Sequence, residues 1–189
     1  MGGSFRNQGE FMRSRVSPGR RWGHAAAAWS GIFAGAHFYW ALGGSKGLDV
    51  SAGSRLAEER PLWFVAAGLW GVGSALVVGA VLGRALARTG PTVRRGRILE
   101  WLGWATGLLL LARGVAVELL LLTDATGLEG AVSQGQRFWT LALWNPWFIA
   151  GGLSFALAAL AYRFERTGGP PTGRYGAGAR DKTPEEKEK

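Results

Sequence analysis

The sequence predicts an all-α integral membrane protein, a bundle of four transmembrane helices over about residues 23–44, 61–83, 98–122 and 138–162. Three observations carry that reading. Each run is apolar over the ~20 residues that a hydrocarbon core about 30 Å thick requires. Arginine and lysine gather in alternate segments between the runs. The share of hydrophobic residues, 48%, is ordinary, but they are concentrated in four blocks between polar ends.

Residues 1–21 carry Arg6, Arg13, Arg15, Arg20 and Arg21 against Glu10 and read as a disordered basic cytoplasmic arm. Residues 22–165 then form the transmembrane domain. Trp22 to Ser45 contains no Asp, Glu, Lys or Arg, long enough for a first span. Arg20-Arg21 resembles a twin-arginine export start, but the segment ends in Phe38, Tyr39 and Trp40 where a cleavage site needs small residues. Cleavage is therefore not expected. A loop of mixed charge, Lys46 to Arg60, leads to Pro61, which suits the opening of a helix. Along the second span Ala67, Gly71, Ala75, Gly79 and Gly83 recur every fourth residue. That predicts a small-residue stripe for close approach of a neighbouring helix, of this chain or of another copy.

Arg84, Arg88, Arg94, Arg95 and Arg97 fill the next connection, and Gly90-Pro91 breaks the helix there. The third span is interrupted by Glu100, Arg113 and Glu118. At 100° per residue, Glu100, Gly103, Gly107, Gly114 and Glu118 fall in one narrow arc, with Arg113 off it. The fourth span, from Arg137 and Phe138 to Tyr162, contains Asn145-Pro146. There the helix is expected either to kink or to begin anew at Pro146. Ala150, Ser154 and Ala158 suggest a second small stripe. Residues 166–189 read as a disordered cytoplasmic tail.

The basic arm, the 84–97 connection and the tail fall on one side of four spans, which predicts a multi-pass plasma-membrane protein with both termini cytoplasmic. The formal charge of +9 is accounted for by these segments, and no nucleic-acid motif accompanies it. No nucleic-acid partner is expected. Cysteine is absent, which excludes disulfides, thiolate metal sites and cysteine nucleophiles. His24 and His37 lie on one predicted helix about 20 Å apart, too far to clamp one haem iron. No nucleotide-binding loop or hydrolytic grouping can be argued. No metal, cofactor or catalytic residue is assigned.

Depth places the remaining polar residues. His37 follows Arg21, and Arg113 follows Arg97, by the same 16 residues, roughly 24 Å of helix. Asn145 lies about 12 Å below Arg137 if that segment is helical. His37, Arg113, Glu118 and Asn145 therefore form a candidate polar layer in the outer half of the bilayer, where a charged group is costly and usually finds a partner. His37 is expected to bond across helices or to line a site. Arg113 either snorkels to the interface or pairs within the bundle. Glu118 is expected at the interface in contact with water, and Asn145 as the cap of a helix opening at Pro146.

His37-Phe-Tyr-Trp40-Ala-Leu-Gly43-Gly44 resembles the His-x-x-Trp-x-x-Gly-Gly signature of a small bacterial membrane-protein family, domain of unknown function 3995. Arg113 before Gly114, and Pro146 opening the last apolar run, are similar to that pattern over roughly residues 24–165. The family pattern places two residues between that arginine and its glycine and enters the last helix through Tyr-x-Pro. This chain has Arg113-Gly114 and Trp144-Asn145-Pro146. The resemblance implies a four-helix membrane protein and supplies no activity. The leading expectation is a non-enzymatic protein acting through helix packing with itself or a partner. The alternative is a small-molecule or lipid-binding accessory of redox or transport, using the His37 and Arg113 layer.

Overall fold

A computed structural model describes residues 18–88, 93–123 and 133–168. The predicted arm, the tail, and parts of the 84–97 and 123–136 connections lie outside these residues. The protein is all-α. The helix α1 (Pro18–Ala41) comes first. Two short helices follow, α2 (Leu48–Ala52) and α3 (Ser54–Glu59). A π-helical segment, Phe64–Gly71, runs directly into α4 (Val72–Leu86). The long α5 (Val93–Thr123) leads to α6 (Gln134–Trp139). A second π-helical segment, Thr140–Trp144, joins α6 to α7 (Asn145–Gly168). The runs Phe64–Leu86, Gly96–Thr123 and Gln134–Thr167 are long and apolar enough to cross a membrane. The 24-residue α1 is a fourth long apolar helix.

The first helix starts a turn earlier than predicted, at Pro18, and its end explains Gly43 and Gly44. Gly43 has φ 105°, a backbone that side chains disfavour. Its N–H donates to Trp40 O at 3.1 Å, and that of Gly44 to Tyr39 O at 2.9 Å. This pair of bonds is a Schellman cap. The cap turns the chain so that residues 46–60, expected as a loop, fold into α2 and α3 across that end of the bundle. Glycines at positive φ bracket α2: Gly47 at 76° and Gly53 at 90°.

The centre of the bundle is the contact of α1 with α7. Trp29 and Phe33 of α1 are buried against Phe155 and Ala158 of α7. The Trp29 indole donates to Trp147 O at 2.8 Å. It also lies over Gly151, where any side chain would collide with it. On one flank α4 packs on α1 through Gly79 and Gly83. A Cβ at Gly83 would stand 2.6 Å from Ala27 N. On the other flank α5 packs on α7, while α4 and α5 touch each other much less.

The predicted arc of α5 is the face that meets α7. Gly103 approaches Ala159, Gly107 approaches Gly152 O and Ala156, and Gly114 approaches Asn145 O and Ile149. Glu100, at one end of the arc, accepts from Arg166 Nη2 at 2.6 Å, with Arg163 Nε at 3.7 Å. On α7 this interface uses Gly152, Ala156 and Ala159. Of the predicted stripe Ala150, Ser154 and Ala158, only Ala158 is buried, and it faces the central core.

Two expectations need correction, and π-helical turns are the cause of both. The stripe Ala67, Gly71, Ala75, Gly79, Gly83 assumes an unbroken α-helix. A π turn holds an extra residue, so the segment 64–71 rotates the early part of the stripe out of register. Ala67 and Gly71 are exposed for this reason; Ala75, within the regular α4, is exposed too, and α4 meets α1 through Gly73, Gly79 and Gly83. In the fourth span no new helix begins at Pro146. The helical run is continuous from Gln134, where Ser133 Oγ caps α6 by accepting from Gln136 N at 3.2 Å. Proline in an α-helix clashes with the carbonyl four residues back. The wider π turns at 140–144, just before Pro146, relieve that clash.

Candidate functional site

The two π-helical segments and α1 line a half-open cavity of about 190 Å³. On α1, Phe33, His37 and Trp40 line it, one helical turn apart on one face. Leu48, Ser51 and Ala52 of α2 close one end. Phe64, Gly68 and Leu69 come from the first π segment, and Thr140 and Trp144 from the second. Phe148 of α7 and Arg113 of α5 complete the wall.

Local structure fixes each side chain. His37 Nδ1 bonds Phe33 O at 2.9 Å, within its own helix. The ring makes no hydrogen bond across helices to a described residue and lines the cavity instead, the other of the two expectations. The carbonyl can only accept, so in the neutral ring Nδ1 carries the proton and Nε2 is an acceptor. The ring stands edge-on to Phe33 at 4.7 Å and to Trp40 at 5.5 Å. Trp40 is held by its indole N–H, which donates to Lys46 O at 2.9 Å. Trp144 stacks on Phe33 at 5.9 Å. Its Nε1–H is buried without an acceptor among the described residues.

The Arg113 guanidinium lies over the Phe148 ring, 4.9 Å from its centroid, a cation–π contact. It forms no ion pair with any described residue. Arg113 is exposed on α5 and also lines the cavity, so it stands at the opening. His37 and Arg113 make no direct hydrogen bond. They are linked through rings: His37 packs on Phe33, Phe33 meets Phe148 at 5.6 Å, and Arg113 lies over Phe148.

Glu118 and Asn145 meet each other rather than the cavity. Asn145 Nδ2 donates to Glu118 Oε2 at 2.7 Å. Asn145 is fully buried and helical, with φ −66° and ψ −47°. It is not a helix cap. Glu118 is half-buried and not simply in water, because α5 and α7 cross closely at Gly114 and bring the two side chains together.

Arg60 is a residue whose role the sequence did not disclose; its position before Pro61 was the available signal. Its Nη1 donates to Trp40 O at 3.2 Å, Nη2 to Gly44 O at 2.5 Å and Nε to Ala57 O at 3.2 Å. The side chain thus ties the end of α3 to the capped end of α1. Arg60→Met should cost about 2–3 kcal/mol, the order of one good hydrogen bond from a charged donor, because the side chain is half-buried and water replaces part of the three bonds. Limited proteolysis should then cut residues 46–60 faster, with the spans intact; an unchanged cleavage rate would remove Arg60 from this role.

The His-x-x-Trp-x-x-Gly-Gly motif therefore combines two cavity walls, His37 and Trp40, with the cap that places α2 over them. No curated protein and no solved structure matches the chain. Residues 30–155, which hold this motif, Arg113, Pro146 and all of the cavity wall, match the model of the family described as Protein of unknown function (DUF3995), and this membrane protein belongs to that family.

Proposed function

We propose that this protein binds a small molecule or a lipid in the cavity lined by His37 and Arg113, as an accessory protein of the plasma membrane. The observation that carries the reading is that one cavity gathers both polar residues among aromatic walls. Ligand sites are commonly of this kind, mostly apolar with a few polar groups that fix orientation. Glu118 and Asn145 support it from behind by joining α5 to α7. The test is a filled cavity. Ala52→Trp should expel a bound molecule that native mass spectrometry detects on the wild-type protein purified from its membrane. Identical bound species in both proteins would sink the reading. The alternative, association through small residues, keeps only Ala67, Gly71 and Ala75 as exposed positions, since Gly79 and Gly83 are used within the chain.

The orientation is part of the proposal. The arginine distribution supports cytoplasmic termini and a cavity toward the outer face. Reporter fusions after residue 20, within 84–97 and after 165 should report cytoplasm. Fusions near residues 50 and 130 should report the exterior. An exterior signal from the 84–97 connection would overturn the arrangement.

A further inference from the structure

We infer that the ligand is the headgroup of an outer-leaflet lipid that couples an anionic phosphate to a free hydroxyl, a phosphoglycerol type of headgroup. This rests on the binding reading above and adds the chemical class. Three observations converge on it.

The first is charge. Arg113 has no carboxylate within ion-pair distance among the described residues. The nearest acid along its helix, Glu118, bonds Asn145 instead. A guanidinium at membrane depth is costly alone, and a phosphate is its geometric match, accepting two parallel N–H bonds. The second is the pattern of hydrogen-bonding groups. His37 Nε2, with Nδ1 bonded to Phe33 O, is an acceptor in the neutral ring. The Arg113 guanidinium and the imidazole acceptor together call for an anion with a hydroxyl beside it; a bare anion would leave the imidazole lone pair unmatched.

The third observation is size and access. The cavity volume of about 190 Å³ is below the ~300–1,000 Å³ of sites for drug-sized ligands. That is room for a headgroup and not for a whole lipid, so the acyl chains must stay outside. They can, because Arg113 at the opening lies on the exposed face of α5. That face belongs to a membrane-length apolar run. A headgroup can therefore enter from the side with its chains still in the bilayer.

The test uses the full chain reconstituted in vesicles of phosphatidylcholine with equal minor fractions of phosphatidylglycerol and phosphatidic acid. After extraction in mild detergent, native mass spectrometry counts the retained lipids. The wild type should retain phosphatidylglycerol over phosphatidylcholine by about tenfold, and over phosphatidic acid by a smaller factor. Arg113→Gln should abolish the preference for either anionic lipid, and Arg113→Lys should keep part of it. His37→Phe should keep the preference for anions but retain the two anionic lipids equally. Equal elution and melting behaviour shows that each variant is folded.

The overturning results differ from those that remove the cavity as a site. Phosphatidylcholine retained as well as phosphatidylglycerol, yet expelled by Ala52→Trp, would leave the binding reading standing and refute the anionic class. Anionic lipid retained equally by wild type and Ala52→Trp would assign it to the basic surface and refute both. Displacement of the lipid by millimolar glycerol phosphate would assign the site to a water-soluble anion and refute the lipid.

Discussion

Gly83→Leu is expected to lower the melting temperature of the detergent-solubilised protein by about 6–12 °C. A Cβ at this position meets Ala27 N at 2.6 Å and Gly23 O at 2.9 Å. Both are backbone atoms of α1, so no side chain can swing aside. The helices must separate, which removes packing along the α1–α4 contact. Overpacking of this kind costs about 3 kcal/mol, and each kcal/mol moves the midpoint by roughly 2–4 °C in a chain of this size. The control is Gly71→Leu. Gly71 is exposed, and a Cβ there meets only Ala66 O of the same helical run, at 3.5 Å. It should leave the midpoint within a degree or two. Equal damage from both substitutions would refute the register imposed by the π-helical segment.

Arg166→Leu should produce a loss of similar size through electrostatics. Glu100 is buried on α5, and Arg166 supplies its short bond from α7, with Arg163 farther away and mostly exposed. Removing Arg166 leaves a carboxylate out of water with one weak partner, a change worth about 3 kcal/mol in buried pairs. Removing both charges, Glu100→Leu with Arg166→Leu, should recover most of it, since a buried pair contributes little over an apolar replacement. Thermal melting in detergent measures all three proteins. A double variant as weak as the single one would mean that Arg166 acts through packing of its stem and not its charge.

What the sequence disclosed follows helical regularity. The arc of Glu100, Gly103, Gly107, Gly114 and Glu118 was legible because α5 is an undistorted α-helix, so counting at 100° per residue stays in phase. The same counting failed at Ala67 and Gly71, because seven successive apolar residues from Val65 to Gly71 do not announce a π-helical turn. It failed again at Asn145, where a proline that usually opens or breaks a helix is accommodated by the preceding wide turns. For the site, depth counting alone put His37 and Arg113 at one level. The aromatic walls at Phe64, Trp144 and Phe148 required the third dimension. So did Ser51 and Ala52, which reach the cavity only because the Gly43-Gly44 cap folds α2 back over it.

The sparse contact between α4 and α5 has a kinetic consequence. Each is anchored on the side away from the other, α4 to α1 and α5 to α7, and the central pair joins the two halves. The free edges can part like the covers of a book while the binding stays intact. For the lipid headgroup proposed above, traffic into the cavity would then be two-dimensional, governed by lateral diffusion and the stiffness of the surrounding bilayer. A solute in the aqueous phase would have little influence on it, whereas a change from fluid to gel lipid would slow exchange at unchanged affinity.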